Sequence, residues 1–387
     1  MDLSSFAYGL FSLLSANPTG LNILISPFSI ASALALVLAG ATIDSPCQEE
    51  LRRVLNVGSH LDLPLLSQQL LSSAGPSVCF TSANGIWSKD LKDSYIAIVK
   101  QSHDAAANKL PDTYESIDAY ISKKTNGLIK NMLEGPIDPL TVAVVVNAVH
   151  FKGDWTTQFD KKLTTAGYFT TLNGDQKEAM FMKANRNMKV AIDLDLLQGA
   201  SIVQLDYGKD DASEGEGNHV AEYVALFILP SQEGREALNG VIQCLLLLNT
   251  NGGDAESSFS AVLGQMNSHR KVKLSLPRFK LSYGTKSIKD ELRSLGINSC
   301  FDGERVLMEM SSDPLVHVDE VLHKAVLEVT EEGTEAAAAS VGIMMTRSLP
   351  PPPIELQFNR PFIMLILHQT TKTPLFVARV DDPELMF

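Results

Sequence analysis

An arginine followed by a serine, Arg347-Ser348, offers the clearest chemistry in this sequence. A trypsin-like protease cleaves after an exposed arginine because an acidic specificity pocket binds the guanidinium group. Four prolines, residues 350–353, follow almost at once and favour an extended, left-handed segment. This sequence is therefore typical of an exposed loop with a bond that a trypsin-like protease can cleave.

The residues that precede this bond are unusually small. They read EEGTEAAAAS from 331 to 340. If the segment becomes a strand within a sheet, alternate side chains face the core, and Thr334, Ala336, Ala338 and Ser340 are all small. Larger side chains would obstruct entry by overpacking, at roughly 1 to 3 kcal/mol each. Gly333 gives the backbone freedom to bend, so the pattern predicts a segment that moves.

Sequence motifs for catalysis are absent. The chain has no GxSxG, HExxH or P-loop motif and no zinc-ligand spacing. The carboxylates near Gly215-x-Gly217 would repel a pyrophosphate and do not follow the EF-hand pattern. Asn147 and His323 lie in apolar runs, where a polar side chain is usually a hydrogen-bonded core group. We therefore predict a protein that is not an enzyme and that has neither a metal nor another cofactor.

Composition limits the classes of partner. Of 387 residues, 45% are hydrophobic and 20% are charged, which indicates a globular protein with a substantial core. The net charge of -13 argues against nucleic acid and against an anionic membrane surface. The basic run 269–273 is expected on the solvent side of a strand, with polyanion binding as the alternative. No apolar run reaches the roughly 18 to 20 residues of a membrane helix.

The first residues and the cysteines of the chain predict its cellular location. The start lacks a basic region and an apolar run of signal length. The four cysteines are widely scattered and show no CxxC spacing, so we expect free thiols. We therefore expect a cytoplasmic protein, and secretion is the alternative if a signal peptide has been removed.

Helical patterns dominate the first third of the chain and strand patterns the rest. Ser26 and Pro27 form a helix start for residues 26–40, and residues 116–133 fit an amphipathic helix with a weak point at Asn126-Gly127. Thr285 to Gly296 fits a further helix. The β-branched run TVAVVVNAVHF is typical of a strand covered on both faces. Without repeats or a long linker, we predict one α+β domain over residues 1–387.

Five motifs, in order along the chain, resemble the serpin family. They are NILISPFSIASALALVLAGA, VVVNAVHFKGDW, LPRFK, EVLHKAVLEVTEEGTEAAAAS and FNRPFIMLIL. The resemblance covers essentially the whole length. It implies a single large domain with three β-sheets, about eight or nine helices and an exposed reactive-centre loop at approximately 331–353. It also implies a monomer.

The resemblance assigns roles to individual residues by position. The usual spacing from Gly333 places the reactive bond at Arg347-Ser348, and a shift in register would place it at Met344 or Met345. Two departures from the family pattern, Arg360 in place of histidine and Ala378 in place of glycine, raise questions of local packing. The other implied residues are the hinge (Glu331, Glu332, Gly333, Thr334, Glu335, Ala336, Ala337, Ala338, Ala339, Ser340), the shutter (Ser26, Ser29, Asn147, His323) and the breach (Trp155, Arg278, Glu331), in which Arg278 and Glu331 could form an ion pair.

The implied function is inhibition of a trypsin-like serine protease, trapped in a covalent complex when the cleaved loop inserts into the central sheet. One alternative is a non-inhibitory serpin that acts as a chaperone, carrier or storage protein. Another is inhibition of a different protease class through the shifted bond. RSLPPPP also fits the pattern of ligands for SH3-type domains, and this binding could coexist with inhibition.

Overall fold

Ten α-helices and fifteen β-strands form within the part of the chain that the structure describes. This computed structural model describes residues 2–16, 22–73, 77–133, 135–208, 221–250, 259–266, 269–332, 352–382 and 384–385. The helices are α1 (Ser4–Ser15), α2 (Pro27–Gly40), α3 (Pro46–Leu55), α4 (Asp62–Ser73), α5 (Asp93–Ser102), α6 (Glu115–Lys124), α7 (Arg235–Thr250), α8 (Phe259–Gln265), α9 (Lys289–Ser294) and α10 (Ser299–Asp302). Two short 3-10 helices span Lys161–Leu163 and Asp195–Leu197.

The strands concentrate in the second half of the chain. They are β1 (Ile23–Ile25), β2 (Val78–Ser88), β3 (Ala106–Lys109), β4 (Ala143–Gly153), β5 (Thr165–Thr170), β6 (Gln176–Leu194), β7 (Ala200–Tyr207), β8 (Tyr223–Leu229), β9 (His269–Pro277), β10 (Phe279–Ser287), β11 (Glu320–Val329), β12 (Ile354–Gln357), β13 (Phe362–His368), β14 (Pro374–Val380) and β15 (Glu384–Leu385). The mixed α+β composition agrees with the sequence prediction.

The strands form a central sheet and a larger network. The central sheet has the order β15-β10-β11-β4-β2-β3. The network has the order β1-β14-β13-β8-β7-β6-β9-β12, with β5 paired to β6. Residues 190–194 of β6 pair with β7, whereas residues 176–189 pair with β5 and β9. Because β6 belongs to two sheets, the described residues form three sheets, the number that the resemblance implies.

Helix α2 lies at the centre of the core. Ser26 has an extended backbone and its hydroxyl accepts from the Ser29 amide, and Pro27 occupies the first helical position, as predicted. Thirteen of the fourteen residues of α2 are buried. The main hydrophobic cluster extends from Leu3 to Val380 in sequence, and a smaller cluster lies between α6 and the central sheet. No helix in the described part of the chain has both the length and the apolar character needed to cross a membrane.

Several predicted boundaries are wrong for local reasons. The helix predicted for residues 116–133 ends with α6, because Asn126 and Gly127 adopt positive φ angles of 52° and 76°. The helix predicted for residues 285–296 shrinks to α9, because the preceding residues extend strand β10. The described residues contain ten α-helices, in line with the expectation of about eight or nine, and α9 and α10 are only six and four residues long.

Candidate functional site

Strand β4 occupies the middle of the central sheet and is buried on both faces over its first nine residues, as its β-branched run predicts. It pairs with β2 in antiparallel fashion and with β11 in parallel. The parallel ladder has eight residue pairs, from Glu320 opposite Val144 to Leu327 opposite Phe151. Both strands continue two residues beyond the last pair. The ladder therefore opens at the end where β11 leads towards residue 333.

The four residues assigned to the shutter lie together beneath this ladder. Asn147 and His323 are direct partners across β4 and β11. The Asn147 amide nitrogen donates to the Ser29 hydroxyl at 2.5 Å and to the Ser29 carbonyl at 3.2 Å. The Ser26 amide lies 3.4 Å from His323 Nε2. All four side chains are buried, so the cluster connects the start of α2 with both strands.

The hydrogen bonds define the tautomer of His323. The Asn147 amide nitrogen is already a donor, so its Oδ1 atom accepts from His323 Nδ1 at 2.5 Å. His323 Nε2 is then the acceptor for the Ser26 amide. Burial lowers the pKa of His323 from 6.5 to about 3. The imidazole is therefore neutral, and a proton would remove the acceptor that faces Ser26.

A fifth member of this cluster was not predicted. Asn84 of β2 accepts from the Asn147 amide nitrogen at 2.5 Å and is paired with Asn147 in register. The sequence could have indicated this residue, because Asn84 lies in the middle of a strand-like run. A polar side chain that is buried in such a strand usually has a hydrogen-bond partner. With Asn84 included, hydrogen bonds join β2, β4 and β11 in one row.

The residues assigned to the breach also lie together, at the open end of the ladder. Trp155 Nε1 donates to the Thr330 carbonyl at 2.9 Å, and its ring stacks on Tyr207 with centroids 4.3 Å apart. Arg278 Nη1 lies 3.6 Å from Glu331 Oε2. The predicted ion pair between Arg278 and Glu331 is thus present. Since the Glu331 side chain is only 4% exposed, water screens this pair weakly.

Two further side chains, neither of them predicted, hold the end of β11. Thr164 Oγ1 donates to Glu331 Oε1 at 2.8 Å, and Lys161 Nζ lies 2.6 Å from Glu332 Oε1. This contact raises the pKa of Lys161 and lowers the pKa of Glu332, chiefly through the hydrogen bond and the opposite charge. Both groups are exposed, so their ion pair contributes little to stability.

The remaining predicted loop residues lie outside the described residues. These are Gly333 to Ser340, Met344, Met345, Arg347 and Ser348. The described chain ends at Glu332 on one side and resumes at Pro352 on the other. It then enters β12, which pairs in parallel with β9 in the sheet beside the central one. The segment 333–351 thus links two different sheets.

The two departures from the family pattern lie in different surroundings. Arg360 Nη2 donates to the Pro230 carbonyl at 2.6 Å. Ala378 is buried within β14, next to the buried Arg379. Arg379 Nη2 lies 2.8 Å from the buried Asp381 carboxylate, and its Nη1 donates to the Ser15 carbonyl at 2.8 Å. A buried charge is therefore neutralised by its partner at this site.

Comparison with known proteins identifies the class. Residues 1–383 match the family described as Serpin (serine protease inhibitor). The chain therefore belongs to the serpin family, whose members are generally protease inhibitors rather than enzymes. It is 30% identical to Serpin-ZX of Arabidopsis thaliana, over 94% of this chain and 92% of that protein. It is 31% identical to Iripin-5 of Ixodes ricinus, over 97% of this chain and 92% of that protein.

A solved structure agrees with this family. Arabidopsis AtSerpin1 in its native stressed conformation matches with a TM-score of 0.82 and 27% identity, over 99% of both chains. The predicted α+β serpin fold is thereby confirmed.

Proposed function

We propose that this serpin inhibits trypsin-like serine proteases as a suicide substrate, with Arg347-Ser348 as the reactive bond. The main support is the open end of the β4–β11 ladder, which lies where Thr330 to Glu332 lead into the small-residue segment. A new strand between β4 and β11 would enter from this end. Arg347 then provides the specificity for trypsin-like enzymes.

The proposed reaction divides into cleavage and insertion. The protease serine attacks the Arg347 carbonyl, its proton passes to the departing amine of Ser348, and an acyl-enzyme forms on Arg347. The freed segment from residue 333 then enters between β4 and β11, before water can hydrolyse the ester. Inhibition requires that insertion be faster than hydrolysis.

Insertion has to break the contacts that join β4 and β11. The eight-pair ladder and the hydrogen bond between Asn147 and His323 cross this boundary. Each new backbone hydrogen bond contributes roughly 0.5 to 1.5 kcal/mol net, while ordering the backbone costs roughly 1 to 2 kcal/mol per residue. The ordering cost is thus similar to the hydrogen-bond gain or larger. We infer that strain in the uncleaved sheet supplies much of the driving force.

Incubation with trypsin, followed by a denaturing gel and mass spectrometry, tests this function. The expected result is a covalent complex near the summed mass, with a released peptide that begins at Ser348. Cleavage at that bond without a complex would instead support a substrate-type or non-inhibitory serpin. Cleavage after Met344 or Met345 by a protease of another class would support the shifted reactive bond.

Replacement of the arginine tests the specificity. Arg347→Ala is expected to abolish the trypsin complex, because the acidic pocket loses its guanidinium ligand. Arg347→Lys, which keeps a positive charge, is the matched control and is expected to retain the complex. Undiminished trypsin inhibition by Arg347→Ala would place the reactive bond elsewhere.

A further inference from the structure

A groove of about 540 Å³ lies on the sheet formed by β5, β6, β9 and β12. Its size falls in the range of binding sites for small molecules, about 300 to 1,000 Å³. None of its lining residues belongs to the shutter cluster, and no contact that holds Glu331 or Glu332 uses its polar residues, although Leu163 lies in sequence between Lys161 and Thr164. The groove therefore requires an explanation of its own.

One end of the groove is apolar. Leu163 and Tyr168 line it and remain 51% and 59% exposed, while the neighbouring Phe181 is buried. The Phe181 ring lies over the backbone of Gly167, where an added Cβ would approach Phe181 Cδ2 to 2.9 Å. Glycine at position 167 thus keeps the ring against the strand. The exposed Leu163 leaves an apolar side chain in water at this end of the groove, as at many binding surfaces.

The other end of the groove is cationic. Lys183, opposite Ser275, and Asn185, opposite Lys273, lie on one face of the sheet. The Lys273 ammonium is neutralised by Glu355 at 2.9 Å. The Lys183 ammonium, in contrast, makes no hydrogen bond or ion pair with any other residue in the described ranges. An unneutralised cation, with the Asn185 amide on the same face, therefore adjoins the apolar end.

We propose that this groove binds a small amphipathic anion, with an apolar body against Leu163 and Phe181 and one carboxylate or sulfonate on Lys183. The positive charge of Lys183 favours an anion in the groove even though the net charge of the chain is -13. Direct contact between the anion and this ammonium group is stronger than the repulsion from distant carboxylates, which salt screens. The apolar side chains favour a ligand with a hydrocarbon body over an inorganic anion.

Isothermal titration calorimetry with defined probes tests the proposal. Dodecanoate represents aliphatic acids and 2-naphthoate represents aromatic acids, each used below its aggregation concentration. Dodecyltrimethylammonium carries the same alkyl chain with the opposite charge. The full-length protein should bind at least one of the two acids saturably at one site and bind the cation more weakly. Whichever acid binds identifies the shape of the apolar body.

Two lysine variants provide the matched comparison. Lys183→Glu should weaken binding of the acid at least about tenfold, since it replaces a charge-assisted contact with repulsion. Lys271→Glu changes the same charge on the same face of the sheet but outside the groove, and should leave the affinity within about twofold. Leu163→Ser, whose exposed side chain can be replaced without unfolding the core, should also weaken binding. Absence of saturable binding, equal effects of the two lysine variants, or preference for the cation would each overturn the proposal.

Discussion

The side chain of Asn147 links three elements of the fold. Its amide nitrogen donates to Ser29 at the start of α2 and to Asn84 on β2, and its carbonyl oxygen accepts from His323 on β11. A buried amide with this many partners specifies position as well as stability, because any shift of one strand leaves a polar atom without its partner. Asn147 therefore fixes β2 and β11 relative to the start of α2.

Replacement of His323 by glutamine should change the pH dependence of stability. The folded protein keeps His323 neutral down to pH about 3, whereas the unfolded chain takes up this proton near pH 6.5. The unfolded state therefore binds more protons between these two values, and stability falls as the pH is lowered through that window. The free energy of unfolding of the unmodified protein should fall by about 2 kcal/mol more than that of His323→Gln between pH 7 and pH 5.

Denaturant unfolding monitored by circular dichroism at several pH values measures this difference. At about pH 8 His323 is neutral in both states, so a difference there reports lost packing and hydrogen bonds only. Parallel pH profiles for the two proteins would contradict the assignment of a neutral, buried His323.

At the residue scale, the serpin resemblance named the four shutter residues, and the apolar runs around Asn147 and His323 indicated hydrogen-bonded core groups. Ser26, Ser29, Asn147 and His323 were all expected together, and the structure brings them into one cluster. Thr164 and Lys161 were not foreseen. A single partly buried threonine or exposed lysine carries no pattern in the sequence. The contacts of Thr164 with Glu331 and of Lys161 with Glu332 depend on the path of the chain in three dimensions.

At the scale of elements, the end of β11 is held by an inner and an outer ion pair. Glu331 is buried and bonded to Thr164 and Arg278, whereas Glu332 is exposed and bonded to Lys161. The two carboxylates are neighbours in sequence, so they form a matched pair for mutation. The difference in burial predicts very different energetic contributions.

Glu331→Ala should cost about 1 to 3 kcal/mol of stability, because it leaves the Thr164 hydroxyl and the partly buried Arg278 without this acceptor. Glu332→Ala should change stability by no more than about 0.5 kcal/mol. Thermal unfolding of the two uncleaved variants would measure the contrast. Equal losses would show that the inner pair contributes no more than the exposed one.

The elements themselves were predicted unevenly. Helix α2 and strand β4 could be predicted from their own residues alone. The helix has a capped start, and the strand is a buried run rich in β-branched residues. Strand β6 spans nineteen residues across two sheets. Its buried and exposed side chains therefore do not alternate regularly, and the sequence pattern did not predict this strand. Residues 286 and 287 fit a helix locally, but pairing with His323 and Leu322 draws them into β10. Tertiary pairing overrode local propensity there.

At the scale of the whole molecule, the family and its fold could be predicted from five motifs, but the register of the central sheet could not. The eight pairs between β4 and β11, and their opening at Leu327 and Phe151, depend on long-range packing. The single domain over residues 1–387, the monomeric state and the cytoplasmic location stay predictions.

Cleavage within the loop is expected to raise the stability of the whole molecule. In the proposed mechanism the free energy released by insertion acts on the bound protease. To distort that protease, insertion has to release free energy comparable with a typical protein stability of about 5 to 15 kcal/mol. Under the proposed mechanism, the protein cleaved at this bond should therefore unfold at least about 10 °C above the intact protein. Differential scanning calorimetry before and after limited cleavage at Arg347-Ser348 measures this change.

Two neighbouring arginine substitutions separate insertion from cleavage. In an inserted strand Thr334 would face the core and residue 335 would face solvent, because side chains alternate. Thr334→Arg should therefore be cleaved by trypsin without the gain in unfolding temperature and without a covalent complex, whereas Glu335→Arg should retain both. Each variant adds a possible cleavage site, so mass spectrometry must show that the cut lies after Arg347. A stable complex formed by Thr334→Arg would contradict insertion of this segment, since an arginine at an inward position could not be buried without a partner.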